Sequence, residues 1–188
     1  CPWHTQIKDL EKVDMLIGHM EITNFKLNPT KICEHGGMPK ELLEKANAVV
    51  SGHFHYREKR DYEDGKYIMY LGCPYEMDFS DRGQPKGVSI IDFDNFNVEF
   101  VENTTSPKHH RLKIMDLVKK QFKDLPNLVK NNIVSIYVDT KVDTLTLDLL
   151  RTKLAQYGPL QFRTEFDILD TSQPETKDVK QISIDIET

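Results

Sequence analysis

The chain has 188 residues, of which 38 % are apolar and 29 % charged, with a formal net charge of −5. That length fits one or two domains with a modest core, and the absence of any run of about 18 apolar residues excludes a transmembrane helix. The acidic balance argues against the broad basic face of a non-specific nucleic-acid binder, although bound cations can supply the positive charge that meets a phosphate. The opening Cys1-Pro2-Trp3-His4-Thr5 has neither an initiator methionine nor the pattern of a signal peptide, and it reads as the interior of a longer frame. Cys1, Cys33 and Cys73 form an odd set without a CxxC pair, so reduced thiols in the cytoplasm are expected rather than a disulfide framework. Cys33 and His35 make a C-x-H pair, a spacing too common by chance to define a zinc site.

Val13-Asp14-Met15-Leu16-Ile17 reads as a short buried strand that ends at Gly18-His19. A loop from Thr23 to Met38 follows, broken by Asn28-Pro29 and Gly36-Gly37. Pro39 to Ala46 has helical composition with proline at its start, where the missing N–H does no harm. Ala48-Val49-Val50-Ser51 is a second apolar strand and runs into Gly52-His53. Strand, helix and strand in this order suggest a βαβ-like unit. Lys66 to Leu71, after the turn Glu63-Asp64-Gly65, then Gly87 to Phe93 and Val98 to Glu102, around the turn Asp94-Asn95, read as an antiparallel meander. Asn103 to Pro107 is polar and non-periodic and marks a domain boundary. Beyond it, His109 to Met115 and Ile133 to Val138 read as strands, and Met115 to Val129 as helical pieces broken by Pro126. Leu147, Leu150 and Leu154 give Asp143 to Tyr157 a helical core stripe, stopped by Gly158-Pro159. Phe162 to Leu169 and Ile182 to Ile186 alternate like strands, with a polar loop between them.

Three of the seven histidines sit at predicted strand ends, where ligand sites of α/β sheets collect. These are His19, after Gly18, and His53 and His55, in Gly52-His53-Phe54-His55. In extended backbone His53 and His55 share one side and Phe54 takes the other. Two neutral imidazoles on one side are a start to a site for Mn, Fe or Zn. His109 and His110 read as surface residues, and His4 and His35 have no supporting pattern. Arg57, Lys59 and Arg60, diluted by Asp61, Glu63 and Asp64, read as a solvated hairpin. Trp3 and Tyr75 read as packing residues.

Ile17-Gly18-His19, Val50-Ser51-Gly52-His53-Phe54-His55, Tyr70-Leu71-Gly72-Cys73-Pro74-Tyr75, Pro2-Trp3 and Asn103-Thr104-Thr105 together resemble the calcineurin-like metallophosphoesterases. The pattern is closest to their SbcD-type DNA-repair nuclease branch, which includes phage recombination endonuclease subunits. The resemblance covers residues 1 to about 115, and thereafter only in pattern, as in Val138-Asp139-Thr140-Lys141-Val142-Asp143 and Arg163-Thr164-Glu165-Phe166. It implies an α/β fold: the C-terminal half of a metallophosphoesterase β-sandwich flanked by helices over 1–106, then a small α+β capping domain over 107–188. It implies that His19 and His53 bind one metal and His55 its neighbour. The pair would be Mn²⁺, with Fe or Zn in other members, roughly 3.5–4 Å apart so as to clamp a phosphodiester and activate water.

The resemblance further implies DNA as substrate, an SbcC-type coiled-coil ATPase as partner of the full-length protein, and a homodimer. No membrane attachment is implied, and a phage-encoded copy would work in the host cytoplasm. The helical segment with which that branch grips the ATPase is not found before Thr188. The family's D-x-H, G-D and G-N-H-D/E motifs, which supply the bridging carboxylate, the asparagine ligand and a histidine near the leaving group, do not occur in these residues. No catalytic residue is therefore assigned, and the chain alone is expected to be inactive. Two alternatives stand beside a nuclease subunit: a non-catalytic DNA- or partner-binding module, and a phosphoesterase acting on small phosphodiesters or phosphoproteins.

Overall fold

The computed structural model describes residues 6–119 and 124–167. Residues 1–5, with Trp3 and His4, and the strand and loop expected beyond residue 167 lie outside the described residues. The chain divides into two compact units, at Ser106/Pro107, and the fold is mixed α/β with several sheets and few helices. Among the described residues, no helix is long and apolar enough to cross a membrane.

In the first unit, strand β1 (Val13–Gly18) is followed by two short strands, β2 (Lys26–Asn28) and β3 (Lys31–Ile32), then helix α1 (Pro39–Leu43) and strand β4 (Ala46–Ser51). The expected loop thus contains a small hairpin, which turns where Asn28 Oδ1 accepts from the amides of Thr30 and Lys31. Helix α1 is one turn long, because Glu44 already closes it with bonds back to its last carbonyls. Strands β5 (Glu58–Asp61) and β6 (Tyr67–Tyr70) complete a four-stranded sheet of order β1-β4-β6-β5. Strands β1, β4 and β6 run parallel, and β5 is antiparallel at the edge.

The three-stranded meander is corrected accordingly. Only β7 (Gly87–Ile91) and β8 (Val98–Glu102) pair as an antiparallel hairpin. Tyr67 to Tyr70 instead enters the parallel sheet, since all four residues are buried, and a run apolar on both faces belongs inside a covered sheet. Strand β4 is covered in the same way. Val49 faces one core with Leu16, Phe25, Leu42 and Ile68. Ala48 and Val50 face the other, with Met69, against which Ile91 and Val98 pack.

The second unit runs β9 (His109–Lys113), α2 (Ile114–Val118), α3 (Leu125–Val129), β10 (Ile133–Val138), α4 (Thr144–Gln156) and β11 (Gln161–Phe166). Its described strands are parallel, in the order β11-β10-β9. Pro126 opens α3 rather than breaking a helix, the position where proline's fixed φ is an advantage. Asp143 caps α4, its Oδ1 accepting from the Thr146 amide at 2.8 Å. Leu147, Leu150 and Leu154 are buried with Leu112, Val134 and Ile136. His109, expected at the surface, is instead buried at the start of β9.

Candidate metal centre

The parallel register brings Gly18 opposite Ser51, so His19 and Gly52 leave the sheet side by side at the carboxyl ends of their strands. The amide of Gly52 donates to the Gly18 carbonyl at 3.0 Å. A Cβ on Gly52 would stand 2.9 Å from His19 Nδ1, so the bare glycine is what lets the imidazole lie against the backbone. Met20 is anchored at both polar groups: its amide donates to Ser51 Oγ at 2.9 Å, and its carbonyl accepts from Tyr70 Oη at 2.8 Å. Tyr70 is fully buried, and burial pushes its phenol well above the usual tyrosine range.

His53 to His55 do not form the extended stretch expected of them. His53 has φ of +83°, an uncommon conformation for a residue with a Cβ, and this separates the partners of the two loop histidines. His53 Nδ1 lies 3.3 Å from His19 Nε2, and its Nε2 lies 3.1 Å from Glu21 Oε1. The other Glu21 oxygen is 3.2 Å from His35 Nε2. Phe54 is buried between them in sequence and stacks on Tyr70, with ring centroids 4.4 Å apart and 20° between planes.

His55 turns to a different set. Its Nδ1 is 3.2 Å from Asp81 Oδ2, and Cys73 Sγ donates to the same oxygen at 3.7 Å. The Asp81 carboxylate is 1 % exposed and is already occupied: Lys86 Nζ, also 1 % exposed, donates to Oδ1 at 2.9 Å, and the Met77 amide to Oδ2 at 2.9 Å. Lys86 also donates to the His55 carbonyl at 2.8 Å.

Two donor groups can be weighed as metal sites. His55, Cys73 and Asp81 bring three ligand atoms within 4.8 Å of one another. Burial pushes the Cys73 thiol up, partly offset by Lys86, whereas a metal takes the thiolate. The ammonium of Lys86 already neutralises Asp81. As a complete site this triad fits a dication poorly, and His55 is the one member with a ring nitrogen to spare. The His19–His53 pair fits better: two nitrogens each about 2.1 Å from one tetrahedral ion stand about 3.4 Å apart, close to the 3.3 Å observed.

The structure therefore brings His19 and His53 together and holds His55 in a neighbouring group. Glu21 and Asp81 carry no signal in the sequence, because a lone carboxylate in a polar loop has no pattern and only the fold shows what it faces. The C-x-H pair is not a zinc site here, because buried Cys33 donates to the His35 carbonyl at 3.0 Å. Lys59 and Arg60 pair with Asp61 and Glu58 on the sheet edge, and Arg57 stacks on Phe100 at 4.3 Å. Tyr75 is 47 % exposed rather than packed. An open cleft of about 800 Å³ adjoins His19 and Glu21 and reaches Ile7, Leu42 and Lys45.

No family model matches the chain. Over 119 residues it is 28 % identical to "Exonuclease subunit 1" of Enterobacteria phage T4, an overlap of 63 % of this chain and 33 % of that protein. The chain thus spans about a third of the length of the curated relative it matches.

Proposed function

We propose that these residues are the C-terminal portion of a two-metal DNA exo/endonuclease subunit of the calcineurin-like, SbcD type. In this reading His19 and His53 hold one ion and His55 its neighbour. The observation that carries it is the 3.3 Å approach of His19 Nε2 to His53 Nδ1 at the ends of two adjacent parallel strands. The similarity to a phage exonuclease subunit supports the substrate class. Manganese is the proposed metal, with iron or zinc as substitutes. Bound as a pair, such ions clamp a phosphodiester and lower the pKa of a bound water.

The residues of this chain contribute placement. Gly52 admits the His19 ring, Ser51 and Tyr70 fix the backbone after it, and Lys86 fixes the carbonyl of His55. Three neutral imidazoles do not balance two dications, and the D-x-H, G-D and G-N-H-D/E carboxylate motifs are not in these residues. The 188 residues alone are therefore expected to be inactive. DNA is the proposed substrate, residues 107–188 a proposed capping domain, and an SbcC-type coiled-coil ATPase the proposed partner. The word "subunit" in the relative's name supports assembly with another chain.

Calorimetric titration of the purified chain with Mn²⁺ or Zn²⁺ tests the ligand set. Binding is expected to fall alike in H19A and H53A and independently in H55A; binding unchanged in all three would refute the reading. The second reading is a non-catalytic DNA- or partner-binding module. It requires DNA or partner binding that is indifferent to metal and to all three histidines.

A further inference from the structure

His53 and His55 are held by carboxylates at opposite ring nitrogens. Glu21 Oε1 is 3.1 Å from His53 Nε2, and Asp81 Oδ2 is 3.2 Å from His55 Nδ1. A neutral imidazole has one N–H and one lone pair, and an ionised carboxylate only accepts. Each contact therefore places the proton on the nitrogen facing the carboxylate and the lone pair on the other. For His53 that other nitrogen is Nδ1, which already faces His19. For His55 it is Nε2, on a side chain that is 40 % exposed.

The backbone of Glu21 and the carboxylate of Asp81 are themselves fixed. The Glu21 carbonyl accepts from the Gly37 amide at 2.9 Å, and a Cβ on Gly36 would stand 2.3 Å from that carbonyl oxygen, so the turn closes tightly over the residue. Its second oxygen faces His35. Asp81 is held by Lys86 and by the Met77 amide. Outer carboxylates of this kind set the tautomer and raise the basicity of a ligating histidine.

We propose that Glu21 and Asp81 are positioning residues that present Nδ1 of His53 and Nε2 of His55 to metal. This rests on the metal-ligand reading above. The two histidines of the Gly-His-Phe-His loop are then inequivalent ligands, although their spacing in the sequence treats them alike.

Proton–nitrogen correlation spectra of the isotopically labelled chain test this without any nuclease assay. In metal-free buffer, at a pH above which the ring-nitrogen shifts no longer change, His53 is expected to be protonated at Nε2 and His55 at Nδ1. The reverse tautomer at either residue overturns the proposal. Zinc, a diamagnetic probe, is expected to shift His53 Nδ1 and His55 Nε2; a response at the opposite nitrogens overturns the proposal while leaving the metal reading intact. The expected tautomers with no zinc response at either ring overturn the metal reading and the proposal with it. Glu21→Ala should give mixed tautomers at His53, leave His55 unchanged and weaken zinc binding by about 10- to 100-fold. A zinc affinity equal to wild type in that variant counts against Glu21. Asp81→Asn leaves Lys86 uncompensated and threatens folding, so the His55 half is read on the unmutated chain.

Discussion

The α-carbon of Gly52 lies so close to His19 that a methyl group there would come within 2.9 Å of Nδ1. The strand register causes this contact, because Gly18 and Ser51 are paired and both chains leave the sheet at the same level. Gly52 is not among the positive-φ glycines, so alanine is sterically acceptable to the backbone itself. Gly52→Ala should therefore cost only about 1 kcal/mol in stability through local overpacking. It should nevertheless displace the His19 ring and lower metal affinity measurably more than it lowers the urea midpoint. Calorimetry beside urea denaturation separates the two effects.

The φ of +83° at His53 sets a histidine where glycine would be at ease. A Cβ in left-handed backbone costs roughly 1–2 kcal/mol. Replacing His53 by glycine should thus give a chain about 1 kcal/mol more stable than replacement by alanine, although both lose the same imidazole. Equal stabilities in chemical denaturation would show that the loop relaxes once the ring is gone.

Asp81 and Lys86 are each 1 % exposed and 2.9 Å apart. Removing either leaves a buried charge without its partner, which costs about 3–5 kcal/mol. Asp81→Asn and Lys86→Met should each approach that loss in urea denaturation. The double variant should recover a substantial part of it, because no uncompensated charge remains. Additive losses would mean that the pair is not coupled.

Burial pushes the phenols of Tyr67 and Tyr70 up. An acid whose pKa is raised in the folded state holds its proton there more tightly than in the unfolded chain. Its contribution to stability is full below the unfolded value, about 10 for tyrosine, and is lost as pH rises above it toward the folded value. The urea midpoint should be flat near about pH 8 and fall by about pH 11. Tyr70→Phe should reduce that alkaline slope. It should also cost about 1 kcal/mol at neutral pH, through loss of the hydroxyl's bond to the Met20 carbonyl.

Strands β1 and β4 were legible because apolar runs end at glycine, and α4 because its leucines recur at helical spacing. Strand β5 was not: Glu58-Lys59-Arg60-Asp61 is all charge, and only pairing with β6 and mutual ion pairs make it a strand. The apolar run of β6 marks a strand but does not reveal the direction of its partners, which here are parallel β4 and antiparallel β5. In the candidate site, the histidines announced themselves by glycine and spacing. Asp81 and Lys86 did not, because a charged residue in a polar loop reads as solvated until the fold shows it sealed. His35 likewise has no sequence pattern around it, yet it lies against Glu21.

Phe54, between the two loop histidines, is 4 % exposed and lies flat on Tyr70. Half of the loop is thereby nailed into the same core that supports the sheet. An incoming ligand would meet a backbone that has already surrendered its freedom, so little ordering entropy should oppose binding. The corollary is kinetic: occupancy should be governed by desolvation and collision, not by a slow closure. Phe54→Ala would turn the loop into a tether, with affinity lost as freedom is regained even though every donor atom remains.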